Sequence, residues 1–195
     1  MTKINLFKKD LVNIYTKLKA SMSKEDTRYY LCGVCLDYVH SEKTLYAIST
    51  NGHTLSRLTI PDINTDATED FNIIVPKALI LKLKDVKPDK YKKPDHESQK
   101  AEISIDENII TITYDMNSIS SPLIDGTFPD YRRVIPEEKD MQFTIGFQPQ
   151  LMIDICTAIK NSGGAVKLQM QDSDSPMLIH EADPNITYVL MPIKF

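Results

Sequence analysis

No apolar run in this 195-residue chain approaches the roughly 18 residues that a membrane span needs, and the opening MTKINLFKKD lacks the apolar centre of a signal peptide. A cytoplasmic location without membrane attachment is therefore expected. The three cysteines, Cys32, Cys35 and Cys156, cannot make an even disulfide set. Cys32 and Cys35 stand at C-x-x-C spacing, but within a strand-like run, where residues three apart point to opposite faces; plain burial is expected there rather than metal or redox chemistry. His40, His53, His96 and His180 fall in no ligand spacing such as H-x-x-x-H, and neither G-x-x-x-x-G-K nor G-x-S-x-G occurs. No metal, cofactor or catalysis is expected. An enzyme would need His53 and a carboxylate such as Asp130 to converge in a cleft.

The net charge of -4 argues at first against a polyanionic partner, but its distribution is uneven. Lys3 to Lys24 holds six lysines and one acid, and Lys77 to Lys93 holds seven lysines and two acids. Those stretches carry +5 each, leaving -14 on the rest. Such a chain can hold a polyanion on one surface and repel it elsewhere, although a merely solvated helix face would read the same way.

Hydrophobic periodicity repeats a β-α-β-β-β pattern three times. Ile4 to Phe7 reads as a strand, and Lys8 to Met22 as a helix with Leu11, Ile14, Tyr15, Leu18 and Met22 on one face and Lys9, Asn13, Thr16, Lys17, Ala20 and Lys24 on the other. Strands are expected over Arg28 to Val39, Leu45 to Asn51 and Thr54 to Ile60, with a turn at Asn51 and Gly52. The second copy starts at Asn72, with Pro76 opening a helix that points Leu79, Ile80, Leu83 and Val86 inward and Lys77 and Lys84 outward. Lys87 to Lys100 has little to bury and reads as a mobile loop before three strands, Ala101 to Ile105, Ile109 to Tyr114 and Ser118 to Leu123. The third copy runs from a strand over Gln142 to Phe147 into a helix from Pro149, with Leu151, Met152, Ile155, Ala158 and Ile159 inward and Gly163 and Gly164 at its end. Strands over Ala165 to Gln171, Pro176 to His180 and Ile186 to Ile193 complete it. The starts lie 68 and 70 residues apart.

Between the second and third copies runs TFPDYRRVIP, Thr127 to Pro136. Its two prolines favour extended chain, and Phe128, Tyr131, Val134 and Ile135 need something to pack on. This run resembles the junction between the second and third domains of bacterial sliding clamps, the β subunit of DNA polymerase III. RYYLCGV (Arg28 to Val34), ISTNGHTL (Ile48 to Leu55) and the terminal YVLMPIKF (Tyr188 to Phe195) are similar to further runs of that family, in the family's order. Thr54, Asn51 and the Lys194-Phe195 ending depart from the family's usual arginine, aspartate and Arg-Leu.

The resemblance implies an α+β DNA-clamp fold: one full clamp domain over residues 1–127, a linker over 128–140, and a half domain over 141–195. It implies a processivity factor that encircles duplex DNA without reading its sequence and tethers a polymerase or a clamp loader by a short peptide. The peptide-binding residues would be Leu31, Thr50, Gly52, His53 and Leu55, then Pro129, Arg133 and Val134, then Val189, Leu190, Met191, Pro192 and Ile193, with His53 and Arg133 orienting polar groups. Lys9, Lys17, Lys24, Lys77 and Lys84 would meet DNA phosphates. A family ring has twelve such halves, so four copies of a three-half chain would close one as a homotetramer. The alternative is a non-encircling protein that sequesters clamp-motif peptides.

Overall fold

Ile4 and Leu6 alternate with Lys3 and Asn5 along β1 (Thr2–Phe7), so one face of the strand is buried and the other wet. The helix that follows, α1 (Lys8–Leu18), contains no proline or glycine and buries Leu11, Ile14 and Leu18 on one side. Asp10 fixes its entry by accepting the Phe7 N–H at 3.0 Å. Burial pushes the Asp10 carboxyl above its usual pKa, against the pull of that hydrogen bond and of Lys9. Helix is expected as far as Met22, but the α-helical part stops at Leu18 and a single 3₁₀ turn, Lys19–Ser21, delivers Met22 to the core in extended form.

The computed structural model describes residues 1–93, 96–161 and 164–194, and the chain divides into two units, Met1–Pro129 and Asp130–Phe195. In the first unit β2 (Gly33–Val39), β3 (Thr44–Thr50), β4 (Leu55–Ile60) and the two-residue β5 (Asn64–Thr65) follow α1. Then come β6 (Phe71–Pro76), α2 (Lys77–Lys82), β7 (Lys100–Asp106), β8 (Ile109–Tyr114) and β9 (Asn117–Pro122).

The two halves do not each keep their own sheet. One sheet has the order β5-β1-β7-β8-β9 and the other β4-β3-β2-β6, so each half lends its first strand to the other. All of these pairings are antiparallel. A single core results, in which Leu11, Ile14, Leu79, Ile80 and Leu83 of the helices meet Val34, Leu36, Ile103, Ile110 and Ile112 of the strands.

The strand expected from Arg28 begins only at Gly33, because a 3₁₀ stretch, Asp26–Leu31, occupies its first residues. Gly33 faces Pro76, and proline has no N–H to extend the ladder. Close approach explains the glycine: a Cβ here would lie 2.2 Å from the carbonyl oxygen of Val75 on the neighbouring strand. Gly33→Ala is expected to lower the unfolding free energy by about 2 kcal/mol or more, since backbone must move to admit the methyl, and urea denaturation would measure the loss.

Lys87 to Lys100, expected as a mobile loop, is tied at its base. The buried Gln99 side chain donates to the Asp89 carbonyl at 2.5 Å and accepts the Asp89 N–H at 3.0 Å. Pro94 and Asp95 lie outside the described residues.

The second unit begins with 3₁₀ turns at Tyr131–Val134 and Glu138–Asp140, then α3 (Pro149–Ile159), β10 (Lys167–Gln169), β11 (Met177–His180) and β12 (Thr187–Leu190). Its sheet has the order β10-β11-β12. The strand expected over Gln142 to Phe147 joins no sheet among the described residues; Ile145 and Phe147 instead lean on the small cluster of Met177, Ile179 and Leu190. Of the helix residues expected inward, Ile159 is buried and Met152 and Ile155 are half-buried, while Leu151 and Ala158 are exposed. Gly163 lies outside the described residues; α3 ends at Ile159, and Gly164 has φ +120°.

Candidate functional site

The strand β12 alternates. Leu190 is 2 % exposed and belongs to the unit's core, whereas Val189 and Met191 are 54 % and 61 % exposed, and Ile193 follows at 50 %. Side chains two apart share a face of extended chain, so these three form an apolar row about 13 Å long. The Ile193 N–H donates to the Gly146 carbonyl at 2.8 Å, which anchors the row beyond the end of the strand. Leu190 has its side chain committed inward and can offer a ligand only its backbone, and Pro192 is half-buried. Phe195, the last residue of the terminal run, lies outside the described residues.

At the start of the same unit, Asp130 caps the turn Tyr131–Val134 by accepting the Arg132 N–H at 3.2 Å, and its carboxylate pairs with the Arg133 Nε at 2.9 Å. The turn leaves Arg133 and Val134 exposed and buries Tyr131.

In the first unit, the turn between β3 and β4 is built on Asn51. Its Oδ1 accepts the N–H groups of His53 and Thr54 at 2.9 and 2.8 Å and the Thr54 hydroxyl at 3.2 Å. Gly52 takes φ +86°, a conformation that L side chains rarely adopt. The Thr50 hydroxyl closes the turn, donating to the Thr54 carbonyl at 2.8 Å and accepting the Gly52 N–H at 3.2 Å. His53 is thereby held at an exposed tip with Leu55 half-buried beside it, while Leu31 is fully buried and Pro129 is exposed.

Arg28 was not among the expected site residues, yet it borders this turn: a Cβ on Gly52 would lie 3.1 Å from Arg28 Nη1. Its neighbours Tyr29 and Tyr30 pack edge to face at 5.7 Å. The signal lay in RYYLCGV, which Arg28 opens.

The lysines divide by what they already contact. Lys9, Lys17, Lys24 and Lys84 are exposed. Lys17 lies two turns beyond Lys9, about 12 Å along α1. Lys77 is half-buried and its ammonium donates to the Ser23 carbonyl at 3.3 Å, which leaves it less to offer a phosphate. Lys8, at the first position of α1, is buried in an ion pair with Asp115. Lys19 stands over the Tyr15 ring at 4.6 Å. Among the described residues no group of three histidine, cysteine or acidic side chains could hold a metal ion, and no helix is long and apolar enough to cross a membrane.

The family model for the central domain of the DNA polymerase III beta subunit matches residues 5–130. The chain belongs to the sliding-clamp family. That match spans nearly all of the first unit, whose lent strands and paired helices belong to the clamp fold. The beta sliding clamp of Rickettsia bellii is 37% identical over 141 residues, covering 70% of this chain and 34% of that protein. The beta sliding clamp of Caulobacter vibrioides is 23% identical over 250 residues, covering 95% of this chain and 64% of that protein. Those 250 aligned positions exceed the 195 residues of this clamp chain by 55, so at least that many positions of the relative have no counterpart in it. A crystal structure of the Helicobacter pylori beta clamp bound to a DNA ligase peptide shares the fold, with a TM-score of 0.68 and 20% identity over 99% of this chain and 65% of that one. This clamp chain therefore spans less than two thirds of each of these relatives.

Proposed function

We propose that the chain is a sliding clamp in action as well as in descent: it encircles duplex DNA as a homo-oligomeric ring and tethers a polymerase, and at loading a clamp loader, through a short peptide. The observation that carries the reading is the exposed row Val189, Met191 and Ile193, which has no structural reason to be apolar and whose alternation suits an extended peptide. The Helicobacter pylori clamp, with its bound ligase peptide, supports the same use of the fold. The family resemblance adds to the proposal, each within its own unit, the turn bearing Gly52, His53 and Leu55 with Arg28 beside it, and the exposed Arg133 and Val134. Lys9, Lys17, Lys24 and Lys84 would meet phosphates without reading bases, with Lys77 secondary. The protein works without catalysis.

Four copies close the ring as a homotetramer. Retention on DNA tests encirclement. A chain that encircles is retained on nicked circular duplex and lost when the same DNA is linearised; a native mass of four chains accompanies it. Equal retention on both forms would replace this reading with the peptide-sequestering one, which the acidic balance of the chain favours.

A further inference from the structure

In the first unit both lent strands follow one rule of register. Phe7, which caps α1, lies opposite Lys100, the first residue of β7; Pro76, which caps α2, lies opposite Gly33, the first residue of β2. In both halves the residue two before the cap is also held on its other edge by the chain that follows the half's own strands. Asn5 pairs with Asn64, and Ile74 accepts the Ile124 N–H at 2.9 Å. The second unit repeats the second feature: Gly146, two before the cap Gln148, accepts the Ile193 N–H at 2.8 Å. Among the described residues the first feature is unmet.

What the first unit buries at this joint, the second leaves wet. The third residue of each helix is buried in α1 and α2, as Asp10 and Leu79, while its equivalent Leu151 is 44 % exposed. The fourth and seventh positions are buried as Leu11 and Ile80, and as Ile14 and Leu83, but only half-buried as Met152 and Ile155. β10 is three residues long where β2 and β7 are seven, and Leu168 on its core-facing side is 48 % exposed. Among the described residues the second unit exposes twelve large apolar side chains, eight of them outside the proposed peptide contacts Val134, Val189, Met191 and Ile193, against six in the first unit, although the first is twice as long; the surplus marks a missing companion.

We propose that a second copy of this chain is that companion, and that the two complete each other by reciprocal strand exchange. Residues 143–148 of one copy pair antiparallel with residues 167–172 of the other, and the reverse, about a two-fold axis. The rule of register puts Gln148 opposite Lys167, Phe147 opposite Leu168 and Ile145 opposite Met170. Those apolar pairs stand where Leu6 meets Ala101 and Ile4 meets Ile103 in the first unit. Gln142 to Gln148 carries no charge, so the exchange brings no like charges together. A lent strand with two phenylalanines and a helix face from each copy buries on the order of 800 Å² per partner, the size of a stable interface. The exchange stands on the second unit alone and holds whether or not the chain encircles DNA.

Leu151→Glu is expected to halve the native mass of the full chain at micromolar concentration, to two chains from a ring of four or to one from a dimer, while circular dichroism stays unchanged. In a Cys156→Ser background, Gln148→Cys combined with Lys167→Cys should oxidise to a covalent dimer, whereas Gln148→Cys combined with Gln171→Cys should not. A wild-type chain that sediments as a monomer overturns the proposal. So does a dimer that survives Leu151→Glu, or a pair at 148 and 167 that fails to link, whichever surface then joins the copies.

Discussion

Met191→Asp is expected to weaken binding of a peptide carrying glutamine and leucine or phenylalanine by more than about 2 kcal/mol, roughly thirtyfold, and to leave the protein folded. Met191 is exposed and lies outside the cluster of Met177, Ile179 and Leu190, so its replacement removes a contact surface without opening a cavity. An aspartate in the middle of the row would also meet the apolar residues of the peptide, and burying it unpaired is costly. The neighbour gives the control. Leu190→Ala is expected to cost the second unit about 2–5 kcal/mol of stability, because it empties one of the three fully buried positions of that cluster. Fluorescence anisotropy with a labelled peptide, set beside urea denaturation, separates the two effects. Unchanged affinity in Met191→Asp would remove the row from the binding site.

Reversing Lys9, Lys17 and Lys84 to glutamate together is expected to abolish retention on circular duplex DNA and to leave peptide affinity as it was. All three are exposed, and none closes an ion pair within the protein among the described residues. Lysines that meet only phosphate release counterions, so the slope of log affinity against log salt should fall by about three when three contacts vanish. The loss should be the same on any base sequence. A slope equal to that of the wild type would place the DNA elsewhere on the protein.

The helices and strands of the first unit were legible because their periodicity reports one shared core. Leu11, Ile14 and Leu18, and again Leu79, Ile80 and Leu83, recur at helical spacing and are all buried. Periodicity says which face a residue turns inward, not which strand will lie beside it. Gln142 to Phe147 alternates as well as β1 does, yet makes no ladder among the described residues, since the sheet of its own unit, β10-β11-β12, takes in no further strand. Arg28 to Cys32 carries the tyrosines of a strand, but the ladder cannot reach them past Pro76. For the candidate site, Gly52, His53, Val189 and Met191 were legible as letters of a motif. Arg28 at the turn was not, because 24 positions of chain separate it from Gly52 and only the fold brings them together. Leu190 was counted with its neighbours because a motif run does not distinguish the two faces of a strand.

The lending of strands also sets the order in which the first unit can fold. Within this unit β1 is made before the strands it pairs with: the two-residue β5 covers part of one edge, but the other edge waits for β7, almost a hundred residues later, and one edge of β2 likewise waits for β6. Contacts so distant along the chain slow folding, since loop closure precedes any gain from pairing. A nascent chain halted before Lys100 would hold a six-residue strand, TKINLF, with one edge unpaired and the other met only at Ile4 and Asn5 by β5. Such a fragment has the makings of an aggregate, so termination before the codon for Lys100 should send the product to inclusion bodies rather than yield a small soluble domain.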